Sequence, residues 1–64
     1  MKTHYDADAD ALYVRFSDAS VVESEEVSDG VVLDFDGDGR IVAIEVLDAS
    51  KHLAAGATLP TAAE

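Results

Sequence analysis

A run rich in aspartate and glycine in the middle of the chain allows two incompatible folds. Residues 34–45 match the calcium-binding loop of an EF-hand at every formal position. Asp34, Asp36 and Asp38 stand at its first, third and fifth positions, and Glu45 at its last. The same run contains two Asp-Gly pairs, which are typical of a tight turn between strands. An EF-hand requires flanking helices and a hairpin requires flanking strands, so this segment constrains the whole fold.

The residues beside the run favour the hairpin. Asp29-Gly30 is a turn signal, and two β-branched valines follow it where an EF-hand needs a helix. In a hairpin, Glu45 lies about six residues from the tip, or roughly 20 Å away. Calcium–oxygen distances are ~2.3–2.6 Å, so the hairpin and the calcium loop exclude each other. We predict the hairpin and keep the loop of Asp34, Asp36, Asp38 and Glu45 as the alternative.

The length of the chain predicts one domain with a marginal core. The sequence has 64 residues and no cysteine. A chain of this size buries only about 60% of its unfolded surface. Neither disulfides nor a plausible zinc cluster supplies the missing stability, so we expect a homodimer and no cofactor.

The net charge of −10, from 14 acidic and 4 basic residues, restricts the partners. Direct nucleic-acid binding needs clusters of Lys and Arg and is not expected. No apolar run reaches ~18 residues and the first residues contain no apolar signal region, so we expect a cytoplasmic protein without a membrane span. The acidity has two interpretations. We favour a role in keeping the protein soluble, and the alternative is recognition of a small basic protein partner.

Alternating apolar residues and Asp/Gly turns predict the fold class. We expect an α+β, mainly β, domain over residues 1–55, namely a small antiparallel β-meander of four to five strands followed by a short helix. The short connections favour pairing in sequential order. The last residues, 56–64, are predicted to form a flexible tail. The predicted strands are residues 2–5, 11–16, 21–27, 31–35 and 40–47, and the predicted helix is residues 48–56.

The pattern of the strands places apolar residues on both faces of the sheet. Val31, Leu33 and Phe35 share a face of one central strand. On the partner strand one face carries Val42, Ile44 and Val46, and the other carries mostly Ile41, Ala43 and Leu47. Apolar residues on both faces indicate that both are covered, and we expect sheet faces or the central strands to form the dimer contact.

Two segments of the chain are similar to a known family. Tyr5-Asp6 with Asp10-Ala11-Leu12-Tyr13-Val14, and the second half from Val31 to Ser50, resemble the domain of unknown function 2283 family of small bacterial and archaeal proteins. Ala43 stands where the family is expected to have glycine. Members are often encoded beside small proteins that look like toxins, so the resemblance implies an antitoxin-like role. It supplies no catalytic residues.

Candidate chemical groups are few. His4, Asp6, Asp8 and Asp10 could gather around a metal, but aspartates this closely spaced are typical turn formers. The serines lack a nucleophile context and no glycine loop precedes a helix, so we predict no enzyme. Glu23, Glu25 and Glu26 concentrate charge on one predicted edge strand, which makes them the candidate partner-binding residues. We therefore expect a non-catalytic protein-interaction module.

Overall fold

Five antiparallel strands and one short helix make up the computed structural model, which describes residues 1–59. This confirms the predicted fold class of a small antiparallel, meander-like sheet followed by a short helix. Residues 60–64 of the predicted tail lie outside the described residues. The elements are β1 (Lys2–Asp6), β2 (Ala11–Arg15), β3 (Glu23–Ser28), β4 (Val31–Phe35), β5 (Ile41–Val46) and α1 (Ala49–His52).

The order of strands in the sheet is β1-β2-β5-β4-β3. Strictly sequential pairing therefore fails at one place, because β5 rather than β3 lies beside β2. The connection to β3 is held by two backbone bonds: the Phe16 amide donates to Val42 O and the Val22 amide donates to Phe35 O, both at 2.8 Å. The central position suits β5, the most apolar strand, where Val42 and Ala43 are 1% and 0% exposed. β3 occupies an edge, as its glutamates predicted.

The run of residues 34–45 folds as a hairpin. The Asp36 carboxylate accepts bonds from the amides of Asp38 and Arg40, both at 2.9 Å, and the Gly39 amide donates to Asp36 O at 3.0 Å. Gly39 has φ of 78°, a left-handed conformation that glycine adopts without strain. The turn predicted from the Asp-Gly pairs is thus present between β4 and β5.

The register of the three central strands collects the large apolar side chains on one side. Leu12 and Val14 lie opposite Val46 and Ile44, and these in turn lie opposite Val31 and Leu33. Directly opposed residues of an antiparallel pair share a face. Residues two positions apart in a strand also share a face, which adds Val42 and Phe35. We call this side the apolar face; it comprises Leu12, Val14, Val31, Leu33, Phe35, Val42, Ile44 and Val46. The opposite face is more polar and includes His4, Tyr13, Glu26, Val32 and Glu45.

The helix is shorter than predicted and lies at one end of the sheet. It ends at His52 rather than near Gly56, because Leu53 is already extended with ψ of 150°. Asp48 occupies the N-cap position, but its side chain makes no capping bond. Ala49 is fully buried, and its amide donates to Asp10 O at 2.8 Å. A four-residue helix anchored at this end covers little of either face.

Candidate interaction surface

The hairpin separates the carboxylates of the alternative calcium loop. The Asp34 carboxylate accepts a 2.6 Å bond from Ser24 Oγ on the neighbouring strand. The Asp36 carboxylate is used within the turn, and Glu45 lies in β5 opposite Tyr13. Within residues 1–59, no three side chains of His, Asp or Glu are grouped so as to hold a metal ion. The structure therefore does not bring Asp34, Asp36, Asp38 and Glu45 together.

Calcium titration distinguishes the hairpin from the calcium loop. We expect calorimetry to detect only weak binding, in the millimolar range, because exposed carboxylates without a closing glutamate form no cage. The Glu45→Gln variant should behave as the parent does. Micromolar affinity that disappears in Glu45→Gln would contradict the hairpin geometry.

The acidic turn between β1 and β2 has a structural role in its first half. The Asp6 carboxylate accepts bonds from the Asp8 and Ala9 amides at 3.0 and 3.3 Å. This is an Asx turn, in which the side chain replaces a backbone partner. His4 lies in β1 opposite Tyr13, while the Asp6 carboxylate is used within the turn.

Asp10 joins the first and second halves of the chain, which the sequence did not indicate. Its carboxylate accepts 2.6 Å bonds from Tyr5 Oη and Ser50 Oγ, and 3.2 Å contacts from the Ser50 amide. The bonds from Ser50, then that from Tyr5, lower the pKa of Asp10 below its usual range. Asp10 itself has φ of 54°, which aspartate tolerates. The cluster anchors the start of α1 to the β1–β2 hairpin.

The hydrogen bonds of the Tyr–Asp–Ser cluster shift the pKa values of Asp10 and Tyr5 in opposite directions. A carboxylate whose pKa is lowered is a weak base, whereas general base catalysis favours a pKa near the working pH. The Asp10 bond also raises the pKa of Tyr5, which keeps that phenol protonated. Both shifts favour the hydrogen-bonded arrangement that holds the helix.

The three glutamates predicted to bind a partner lie on two different faces of the sheet. All six residues of β3 are exposed. Glu23 and Glu25 lie opposite Phe35 and Leu33, so they border the apolar face. Glu26 belongs to the other face, and its Oε2 accepts a 3.0 Å bond from the Gly30 amide. Glu26 thus serves the β3–β4 turn, while Glu23 and Glu25 form an acidic rim, the name used below for this pair.

These features define a class: a small acidic sheet protein with one partly exposed apolar face and an acidic rim. The chain belongs to the family described as "Protein of unknown function (DUF2283)", whose model matches residues 2–50. Both segments that carried the resemblance lie within that match.

No curated protein and no solved structure matches the chain significantly. The only helix among residues 1–59 has neither the length nor the hydrophobicity to cross a membrane.

Proposed function

We propose that this chain is a non-catalytic protein-interaction module of the cytoplasm whose contact surface is the apolar face. One observation carries the proposal. Val42 and Val46 are buried, but the other six members of the apolar face remain partly exposed. Contiguous exposed apolar surface on a small protein is a mark of an interaction site. Phe16, which follows β2, adds a side chain that is 51% exposed.

A homodimer is the simplest form of this module. Two sheets stack face to face at about 10 Å, so a second copy could cover the apolar face and enlarge the core. An antitoxin-like role fits the same surface, because such a protein acts by occupying its partner. The acidic rim supports a basic protein as that partner.

A pair of threonine substitutions tests whether the apolar face is the contact surface. Ile44→Thr reduces its apolar area while keeping a β-branched residue, and Val32→Thr makes a similar change on the opposite face. We expect sedimentation at micromolar concentration to give about twice the 6.7 kDa chain mass for the parent and for Val32→Thr. Ile44→Thr should weaken self-association about 30-fold, since roughly 1 kcal/mol is lost from each copy.

The opposite pattern would contradict the proposed contact. If Val32→Thr dissociates the dimer and Ile44→Thr does not, the contact lies on the polar face. A parent protein that stays monomeric at high concentration would refute the homodimer. Circular dichroism of each variant verifies that the sheet is retained.

A further inference from the structure

We infer that the apolar face takes a basic amphipathic helix of a partner protein, and that Glu23 and Glu25 recognise its positive charges. The inference rests on the proposed function, because it names the occupant of the same face. A basic helix differs from a second copy of the chain in its charge and in its shape.

The charge comes from the acidic rim. Glu23 and Glu25 are exposed on the last strand of the sheet and lie on the same face as Phe35 and Leu33. Neither carboxylate has a hydrogen-bond partner among residues 1–59, whereas Glu26 is bound to Gly30. Two unpartnered negative charges beside an apolar surface fit a partner with Lys or Arg beside its own apolar stripe.

A second copy of this chain does not offer those positive charges. Lys2 and Arg15 lie opposite each other on the more polar face. The Arg15 guanidinium is also engaged, because it donates to the carbonyls of Ser17 and Ala19 at 2.8 and 2.7 Å. Arg40 lies in the β4–β5 turn and Lys51 in α1. The apolar face of a second copy therefore brings only another acidic rim, on a chain of net charge −10. The basic helix is accordingly the better-matched occupant, and it is expected to displace the second copy from the homodimer.

The shape of the apolar face suits a helix. Its side chains come from the three adjacent strands β2, β5 and β4. With neighbouring strands about 4.8 Å apart, the outer two of these lie roughly 10 Å from each other. A helix with its side chains is about 10–12 Å across, so one helix fits over the three strands with its flank along β3.

A designed peptide probes the inference without knowledge of the natural partner. The probe is a fluorescent helical peptide of about 18 residues with a leucine stripe flanked by lysines, and its control carries glutamates instead. We expect fluorescence anisotropy to give at least tenfold tighter binding for the lysine peptide, weakening as salt rises. Glu23→Gln with Glu25→Gln should reduce affinity about tenfold and flatten the salt dependence. Ile44→Thr should also weaken binding.

A charge-matched variant controls for net charge. Asp8→Asn with Asp18→Asn removes the same charge at exposed positions outside β3 and should change affinity less than twofold. Equal effects of the two double variants would overturn the inference, since net charge alone would then explain binding. If neither peptide binds but self-association depends on Ile44, the occupant is a second copy and only the inference fails. If neither peptide binds and no self-association occurs, the proposed function fails as well.

Discussion

Replacing Gly30 with alanine is expected to remove much of the domain's stability. Gly30 is buried with φ of 80°, and an added Cβ would lie 2.7 Å from His52 Cε1 and 3.3 Å from Leu47 O. The left-handed conformation alone costs a residue with a Cβ about 1–2 kcal/mol. Moving the His52 ring also breaks its 2.7 Å bond to Leu47 O. We expect a loss of about 2–4 kcal/mol, out of about 3–10 for a domain of this size.

Gly39 provides the matched control for Gly30. Its φ of 78° is nearly the same, but an added Cβ would meet no atom within 4 Å. Gly39→Ala should therefore cost only about 1–2 kcal/mol of backbone strain. In urea denaturation, adding His52→Ala to Gly30→Ala should recover part of the loss, because it removes the crowded ring. Equal losses for Gly30→Ala and Gly39→Ala would mean that the His52 contact has no energetic role.

Removing the charge of Asp10 is expected to destabilise the protein at neutral pH and to change its acid response. The Asp10→Asn variant keeps a side chain that tolerates φ of 54° but loses the carboxylate that accepts bonds from Tyr5 and Ser50. Thermal unfolding should show a lower midpoint than for the parent at pH 7. Tyr5→Phe, which removes one of the bonds, should have a smaller effect.

The pH dependence follows from the lowered pKa of Asp10. The unfolded carboxyl titrates near its usual value of about 3.9, so the stabilisation is complete above that pH. It is lost as the pH falls through the lower pKa of the folded state. The midpoints of the parent and Asp10→Asn should therefore converge as the pH falls through the lowered pKa of the folded state. Asp8→Asn, in the same turn, should follow the parent throughout. A constant difference between parent and Asp10→Asn at every pH would contradict a role for the charge.

Local patterns of the sequence were sufficient to predict most of the elements. The β-branched run after Asp29-Gly30 predicted β4 with its observed bounds, and the Asp-Gly pairs predicted the hairpin. Alternation also predicted correctly that Val31, Leu33 and Phe35 of β4 share one face, and that Ile44 and Val46 of β5 share one. These properties depend on neighbours within a few residues, which is the range over which periodicity is informative.

The features that sequence reasoning missed depend on contacts between distant residues. The pairing of β2 with β5 follows from burying the most apolar strand at the centre, which no turn residue indicates. Asp10 looked like another turn aspartate, because Ser50 lies 40 residues away. Strand alternation alone would have separated Glu26 from Glu25, because adjacent residues of a strand point to opposite faces. The sequence did not indicate the bond that the Glu26 carboxylate accepts from the Gly30 amide, beside the register shift between Glu26 and Ser28.

Methyl NMR during a titration tests most directly whether the apolar face is a contact surface. The methyl groups of Val14, Leu33 and Ile44 report on that face, and those of Val32 report on the opposite face of the same sheet. The occupancy of the apolar face is changed either by diluting the protein or by adding the lysine peptide. We predict shift changes and line broadening at Val14, Leu33 and Ile44, with Val32 nearly unchanged. Changes confined to Val32 and its face, or none at any of these methyl groups in either titration, would contradict the proposed contact surface.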